Sequence, residues 1–250
     1  MTDYHRGWRR HVFYTRESTR TTWRLRLGAI VVALLIVILT RRLWFEWIGQ
    51  SLVCEGDTVT SDVILIENFD PNYLVFERAA ILQRAGFAAK TLVPVPMSNR
   101  PDIPNSVSAR IAEVMASEAR MGPWEPVVYR QSEPYSLNAA AQIRGRLQAL
   151  HVKSIILVTS GFRSRRSMMV YGALLGHAGI EVHCVPVFGG RTPQNWFRTW
   201  HGFQEILEEF VKFQYYRFYI IPRFATAELL EAITDRSATS HRPAADSIAG

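Results

Sequence analysis

Apolar stretches alternate with amphipathic stretches along the chain from residue 61 onward. The apolar stretches are rich in β-branched residues, and they predict strands at 63–67, 90–95, 127–129, 154–159 and 181–187. The amphipathic stretches predict helices at 70–86, 105–121, 136–150, 164–178 and 192–216. Strands that alternate with helices favour right-handed crossovers and a parallel sheet covered on both faces. The pattern therefore predicts an α/β fold: a Rossmann-like parallel sheet with helices on both faces.

An uncharged run without proline, Leu27–Thr40, precedes this pattern. The run is short for a membrane span, but tryptophans at its flanks extend the apolar segment to residues 23–48, which is long enough. A cleaved signal peptide and a buried helix of a soluble protein are the alternatives. Small residues that would mark a cleavage site do not follow the run, so the sequence favours an uncleaved single-span anchor.

The positive charge of the chain is concentrated around this run. The formal net charge is +7, and residues 1–42 alone hold nine arginines and two acidic residues. The rest of the chain is balanced, which argues against a nucleic-acid partner. Seven arginines precede the run and two follow it, so the positive-inside bias predicts a cytoplasmic N-terminus. We therefore expect a single-pass protein of the bacterial inner (plasma) membrane, with its main domain extracytoplasmic.

These observations divide the chain into four parts. We expect a basic cytoplasmic tail at 1–22, a transmembrane anchor at 23–48, an α/β domain at 49–222, and a C-terminal helix remnant with a disordered tail at 223–250. Cys54 and Cys184 could pair only if the fold brings them together, which the sequence does not show, and two unrelated buried thiols are the favoured expectation. The seven histidines lack the spacing of metal ligands, so we expect no metal site.

An aromatic face marks the last predicted helix. Core packing is the favoured explanation, and a surface that leans on the membrane is the alternative. The face is formed by Trp196, Phe197, Trp200, Phe203 and Phe210.

Polar residues follow the predicted strands, where ligands of open parallel sheets bind. Arg163 and Arg166, three residues apart at the start of a helix, can close on one anion. Asp70 before Pro71 is expected to cap the helix that follows the first strand. Ser136 and Asn138 either cap a helix or contact a ligand, and Glu67 either pairs with an arginine or contacts a ligand. The predicted ligand-binding residues are Asn68, Ser136, Asn138, Thr159, Ser160, Arg163 and Arg166, and the candidates for catalysis are Glu67 and Glu133.

Segments spread over residues 61–221 resemble the YdcF-like family, which contains the ElyC- and SanA-type envelope proteins. They include Ser61–Ile66, Glu133–Ala139 and Thr159–Ser167. The resemblance implies a Rossmann-like fold, a membrane anchor and a role in cell-wall or surface-polysaccharide processes. The chain departs from the family pattern at Glu67 and Asn68, where the family has glycines, and at Arg163, where it has histidine. Arginine stays protonated, so acid–base work by that histidine would be lost while anion binding would remain.

The residues and the resemblance together predict a membrane-anchored protein that binds an anionic, phosphate-bearing intermediate, such as a lipid-linked glycan. A hydrolase or transferase acting on a lipid-linked sugar phosphate is one alternative, with Glu67 or Glu133 as general base. A domain facing the cytoplasm that binds S-adenosylmethionine or a nucleotide-like ligand is another. The sequence names no cofactor, and it does not decide whether the protein is an enzyme.

Overall fold

The computed structural model describes residues 23–98, 100 and 103–225, and it contains one five-stranded, all-parallel sheet. The strand order is β3-β2-β1-β4-β5. The strands are β1 Val63–Ile66, β2 Lys90–Pro96, β3 Trp124–Tyr129, β4 Ser154–Ser160 and β5 Glu181–Val187. The predicted Rossmann-like α/β fold is confirmed. The predicted cytoplasmic tail at 1–22 and most of the predicted C-terminal tail lie outside the described residues.

Helices precede, connect and follow the strands. They are α1 Trp23–Ser51, α2 Tyr73–Arg84, α3 Ser106–Glu118, α4 Tyr135–Ala149, α5 Ser164–Gly176 and α6 Trp200–Tyr215, with 3₁₀ turns at Gly161–Arg163 and Trp196–Arg198 and a π-helical turn at Tyr216–Ile220. Asn105 caps α3, because its side-chain oxygen accepts hydrogen bonds from the Val107 and Ser108 amides. The last helix begins eight residues later than predicted, because Thr199 is its N-cap and its hydroxyl accepts a hydrogen bond from the Gly202 amide at 3.1 Å.

Two apolar clusters cover the sheet, one on each face. On one face α2 and α3 bury residues such as Phe76 and Ala112 against Ile64 and Ile156. On the other face α4 and α5 pack against Leu65, Leu157 and their neighbours. Alternate residues of β1 and β4 thus enter opposite clusters; β1 is buried throughout, and β4 is buried except at its two end residues.

The N-terminal helix is long and apolar enough to cross a membrane by length and composition, which a signal sequence near the N-terminus would also satisfy. Its aliphatic side chains between Leu27 and Leu39 are about half exposed or more. The chain divides into two compact units between Trp44 and Phe45. The second unit therefore begins four residues before the predicted domain boundary at residue 49.

A third apolar cluster shows why the second unit includes the end of α1. Leu52 and Val53 are buried against Phe162, Trp196 and Ile206. The Trp196 indole Nε1 also donates a hydrogen bond to the Phe45 carbonyl oxygen at 3.0 Å. The chain that leaves α1 is thus part of the folded domain rather than a free linker.

Cys54 and Cys184 form a disulfide, so the expectation of two unrelated thiols was wrong. Both cysteines lie beside Ser164, the first residue of α5. The Cys54 amide donates to Ser164 Oγ at 2.9 Å, and the Cys184 sulfur lies 3.8 Å from the Ser164 carbonyl oxygen. The disulfide therefore ties the segment after α1 to β5 and to the start of α5.

Candidate functional site

The crevice outside the carboxyl ends of β1 and β4 is the topological switch point of this sheet. The helix after β1 covers one face, and the helix after β4 covers the other. Ligands of open α/β sheets bind at such a point because the two connections diverge and leave space. Glu67 follows β1 directly, and Thr159 and Ser160 end β4, so all three residues lie at this crevice.

Glu67 is buried with one oxygen engaged and one oxygen without a partner. Thr159 Oγ1 and Ser167 Oγ both donate to its Oε2, the latter at 2.6 Å. Within the described part of the chain, Oε1 has no hydrogen-bond partner. Glu67 also lines a cavity of about 320 Å³ together with Ser160 and Arg163. A ligand that brings a hydroxyl or amide donor into this cavity would satisfy the free oxygen.

Arg163 lies in the 3₁₀ turn that joins β4 to α5. The turn approaches β5 so closely that a Cβ on Gly161 would overlap the Phe188 ring, which explains the glycine there. Arg163 Nη2 donates to Asp70 Oδ2 at 2.5 Å, and its Nε lies 3.6 Å from a Glu209 oxygen. Burial favours the neutral guanidine, but the nearby carboxylates outweigh it and raise the pKa of Arg163. The side chain is therefore a permanent cation.

Asp70 is the exposed partner of this cation. Its side chain is 77% exposed, whereas that of Arg163 is 17% exposed. The hydrogen bond from Arg163 lowers the pKa of the Asp70 carboxyl, although burial opposes the change. The prediction that Asp70 caps the following helix was wrong. Asn72 accepts from the Leu74 amide at 3.0 Å instead, because the Asp70 carboxylate is committed to Arg163.

Arg166 is buried one turn further along α5 and is paired inside the protein. Its Nη2 donates to Glu209 Oε2 at 3.0 Å, and its Nη1 donates to Ser136 Oγ at 2.9 Å. Its guanidinium also lies 5.4 Å from the centre of the Tyr216 ring. Ser136 does not cap α4, whose N-cap is Pro134 without a side-chain bond. The capping alternative for Ser136 was wrong, since Arg166 uses its hydroxyl oxygen.

The remaining predicted residues surround the crevice at different depths. Asn68 is buried, its Nδ2 lies 3.5 Å from the Pro94 carbonyl oxygen, and its Oδ1 has no partner in the described residues. Asn138 Nδ2 donates to the Ser132 carbonyl oxygen at 3.2 Å and so fixes the loop before α4. Ser160 lines cavities beside Arg163, and Glu133 is exposed at the rim of a different cavity.

That other cavity measures about 470 Å³ and joins aromatic walls to cationic groups. Arg163, Arg166 and Lys212 supply the positive charge at its lining. Arg163 also lines the cavity of about 320 Å³ and a third one of about 260 Å³. The aromatic walls are Phe69, Tyr135, Tyr215 and Tyr216. One guanidinium therefore faces three adjoining spaces at the switch point.

Two site residues escaped prediction from the sequence. Glu209 binds both arginines from α6, and Ser167 donates to Glu67. A signal for Glu209 exists, because it shares the buried face of α6 with Gly202 and Ile206 at helical spacing. A carboxylate in a buried stripe requires a cationic partner. Ser167 follows Arg163 by four residues, which places it on the same side of the turn and helix.

Within the ranges that the structure describes, no group of three or more histidine, cysteine, aspartate or glutamate side chains could hold a metal ion. A scan against models of protein families and a search of curated proteins find no match to this chain. The fold and the crevice define a Rossmann-like α/β protein with a charged, partly aromatic site at its switch point.

Proposed function

We propose that this protein is a single-pass protein of the bacterial plasma membrane that binds an anionic, phosphate-bearing intermediate of cell-wall or exopolysaccharide biogenesis. The ligand would occupy the crevice outside β1 and β4, with Arg163 as the principal contact to its phosphate. The resemblance to the YdcF-like family is the basis for the hypothesis about the process in which the protein acts.

The observation that carries the proposal is the environment of Arg163. This guanidinium is permanently charged, faces three cavities and has an exposed aspartate as its closest partner. A ligand phosphate can replace the Asp70 carboxylate without leaving a buried charge unpaired, because Asp70 returns to water. Arginine and phosphate form short, charge-assisted and often bidentate hydrogen bonds. Aromatic walls beside the cation suit a ligand that also carries apolar or ring-shaped groups.

The disulfide and the apolar helix support the location. Disulfides form and persist in oxidising compartments, and they are rare in the cytosol. Cys54 and Cys184 are linked in a domain that directly follows an apolar helix long enough to span a membrane. An extracytoplasmic domain behind an uncleaved anchor accounts for both features, and it disfavours S-adenosylmethionine or another cytoplasmic cofactor as the ligand.

Topology is the first prediction. Alkaline phosphatase fused to the C-terminus should be active, and a fluorescent protein in the same place should be dark, because seven arginines precede the span and two follow it. The protein should also stay in the membrane fraction during carbonate extraction. The reverse fusion pattern would put the domain in the cytoplasm. It would then favour the alternative in which the domain binds S-adenosylmethionine or a nucleotide-like ligand.

Ligand retention is the second prediction. Full-length protein purified in detergent should carry a phosphate-bearing molecule that mass spectrometry detects after extraction. Arg163→Ala should weaken its binding by about 1.5–3 kcal/mol, the scale of a hydrogen bond to a charged group. Arg165→Ala is the matched control, because Arg165 contacts the Val53 carbonyl and Glu55 and lies outside the cavities that Arg163 lines. Equal occupancy in the two variants contradicts the proposed role of Arg163.

A second candidate function is hydrolysis or transfer on the same ligand. The observation in its favour is the free Oε1 of the buried Glu67, which lines the 320 Å³ cavity beside Arg163. A general base needs such an unshared oxygen within reach of the proton that it removes. Glu67→Asp keeps the charge and shortens the reach. If this variant keeps full ligand occupancy but no longer supports cell-wall or exopolysaccharide biogenesis, the result favours an enzyme. If biogenesis is unchanged, the result favours a binding protein.

A further inference from the structure

The outer face of α6 and of the π-helical turn after it carries a strip of apolar side chains, although nothing in the described part of the chain covers them. Opposite the buried face, the side chains of Trp200, Leu207, Val211 and Phe218 are 75%, 65%, 58% and 71% exposed. With Phe203, which is 40% exposed, they follow helical spacing and form one continuous strip, here called the outer strip. A helix that is apolar on its solvent side as well as its core side marks an interaction surface.

We infer that the outer strip lies on the membrane surface and holds the domain against phospholipid. The composition fits an interfacial helix, in which tryptophan, phenylalanine and leucine enter the boundary between headgroups and acyl chains. Arginines accompany the aromatic residues at the C-terminal end: Arg217 lies over the Phe218 ring, and Arg223 lies over the Tyr219 ring. These cations suit the phosphates of lipid headgroups.

The first residue of the second compact unit packs against one end of the outer strip. The Phe45 ring packs 5.8 Å from the Phe203 ring, centre to centre. Phospholipid offers acyl chains to the apolar side chains and headgroup phosphates to Arg217 and Arg223, so one occupant satisfies both parts of this surface.

Contact between the outer strip and the membrane would place the 470 Å³ cavity close to the lipid headgroups. Tyr215, at the flank of the outer strip, also lines the 470 Å³ cavity together with Lys212 and Tyr216 of the same helical segment. A domain resting on the outer strip thus opens this cavity close to the headgroups. The ligand could then pass from the membrane surface to Arg163 without crossing bulk water.

A photo-crosslinking experiment tests the inference on the full-length protein in nanodiscs of phosphatidylethanolamine and phosphatidylglycerol. p-Benzoylphenylalanine replaces either Leu207, on the outer strip, or Glu208, its exposed neighbour off the strip. After irradiation, mass spectrometry identifies the adducts. We expect roughly tenfold more phospholipid adduct at position 207 than at 208, because only the apolar face meets acyl chains.

Other cross-linking results would contradict the inference. A cross-link from position 207 to a second copy makes the outer strip a dimer interface, and a cross-link to residues 226–250 makes it a docking site for the chain's own C-terminus. Equal lipid adducts at both positions, or none, also contradict it. The inference rests on the proposed anchor, and carbonate extraction separates the two. Released protein overturns the anchor and this contact together, whereas retained protein without lipid adduct at 207 overturns the contact alone.

Discussion

Replacing Arg166 with alanine should lower the free energy of unfolding by up to about 3–5 kcal/mol, the cost of breaking a buried ion pair, because the Glu209 carboxylate then keeps only longer contacts, such as that with Arg163 at 3.6 Å. The side chains of Arg166 and Glu209 are 6% and 7% exposed, so water cannot compensate the carboxylate that remains. The same change also leaves the buried Ser136 hydroxyl without its donor. Urea unfolding of the full-length protein in detergent, followed by circular dichroism, measures the effect.

Two variants sharpen this prediction. Arg110→Ala breaks an exposed pair with Glu113 in α3, which should cost at most about 1 kcal/mol. Removing both Arg166 and Glu209 should cost less than the sum of the single changes, because the double variant leaves no uncompensated partner in this pair. If Arg166→Ala unfolds at the same urea concentration as Arg110→Ala, the buried pair does not stabilise the fold, and Arg166 is free for a ligand.

Loss of the disulfide should also lower the free energy of unfolding by a large amount. Cys54 and Cys184 are separated by 130 residues, so the bond restricts a long loop of the unfolded chain. The double variant Cys54→Ser, Cys184→Ser should therefore be less stable by about 2–5 kcal/mol. The loss should also loosen the segment after α1, which reaches α5 through Cys54 and through the hydrogen bond from the Arg165 amide to the Leu52 carbonyl at 3.0 Å.

A reducing agent supplies the control for the disulfide. It should lower the urea midpoint of the wild-type protein and leave that of the double serine variant unchanged. Thiol titration of the unreduced, unfolded wild-type protein should find no free cysteine. Two titratable thiols, or a midpoint that does not respond to the reductant, would show that the bond is not formed in the protein.

The alternation of apolar and amphipathic segments was enough to predict the sheet and its helices. Parallel strands buried on both faces have a strong local signature, and β5 was predicted with its observed bounds, Glu181–Val187. Placing the site at the strand ends followed from the same topology. Glu67, Thr159, Ser160 and Arg163 accordingly meet at one crevice, because β1 and β4 are neighbours.

Pairings between distant residues could not be predicted from local patterns. Asp70 before Pro71 is a strong capping signal. Its carboxylate nevertheless accepts a hydrogen bond from Arg163, which lies 93 residues further along the chain. The Arg166–Glu209 pair depends on how α6 packs against α5 after the chain has passed through β5. The disulfide depends on the segment after α1 reaching β5 beside Ser164. In each case tertiary packing decides which of several chemically suitable partners a side chain meets.

The most direct test of the proposed function is an experimental structure of the protein with its co-purified ligand. The account predicts a phosphate in the crevice outside β1 and β4, with its oxygens about 2.7–2.9 Å from the Arg163 guanidinium nitrogens. The Asp70 carboxylate should then be turned into solvent, while Arg166 stays bound to Glu209. A ligand that lies elsewhere on the domain, or that leaves the Arg163–Asp70 pair intact, would contradict the account.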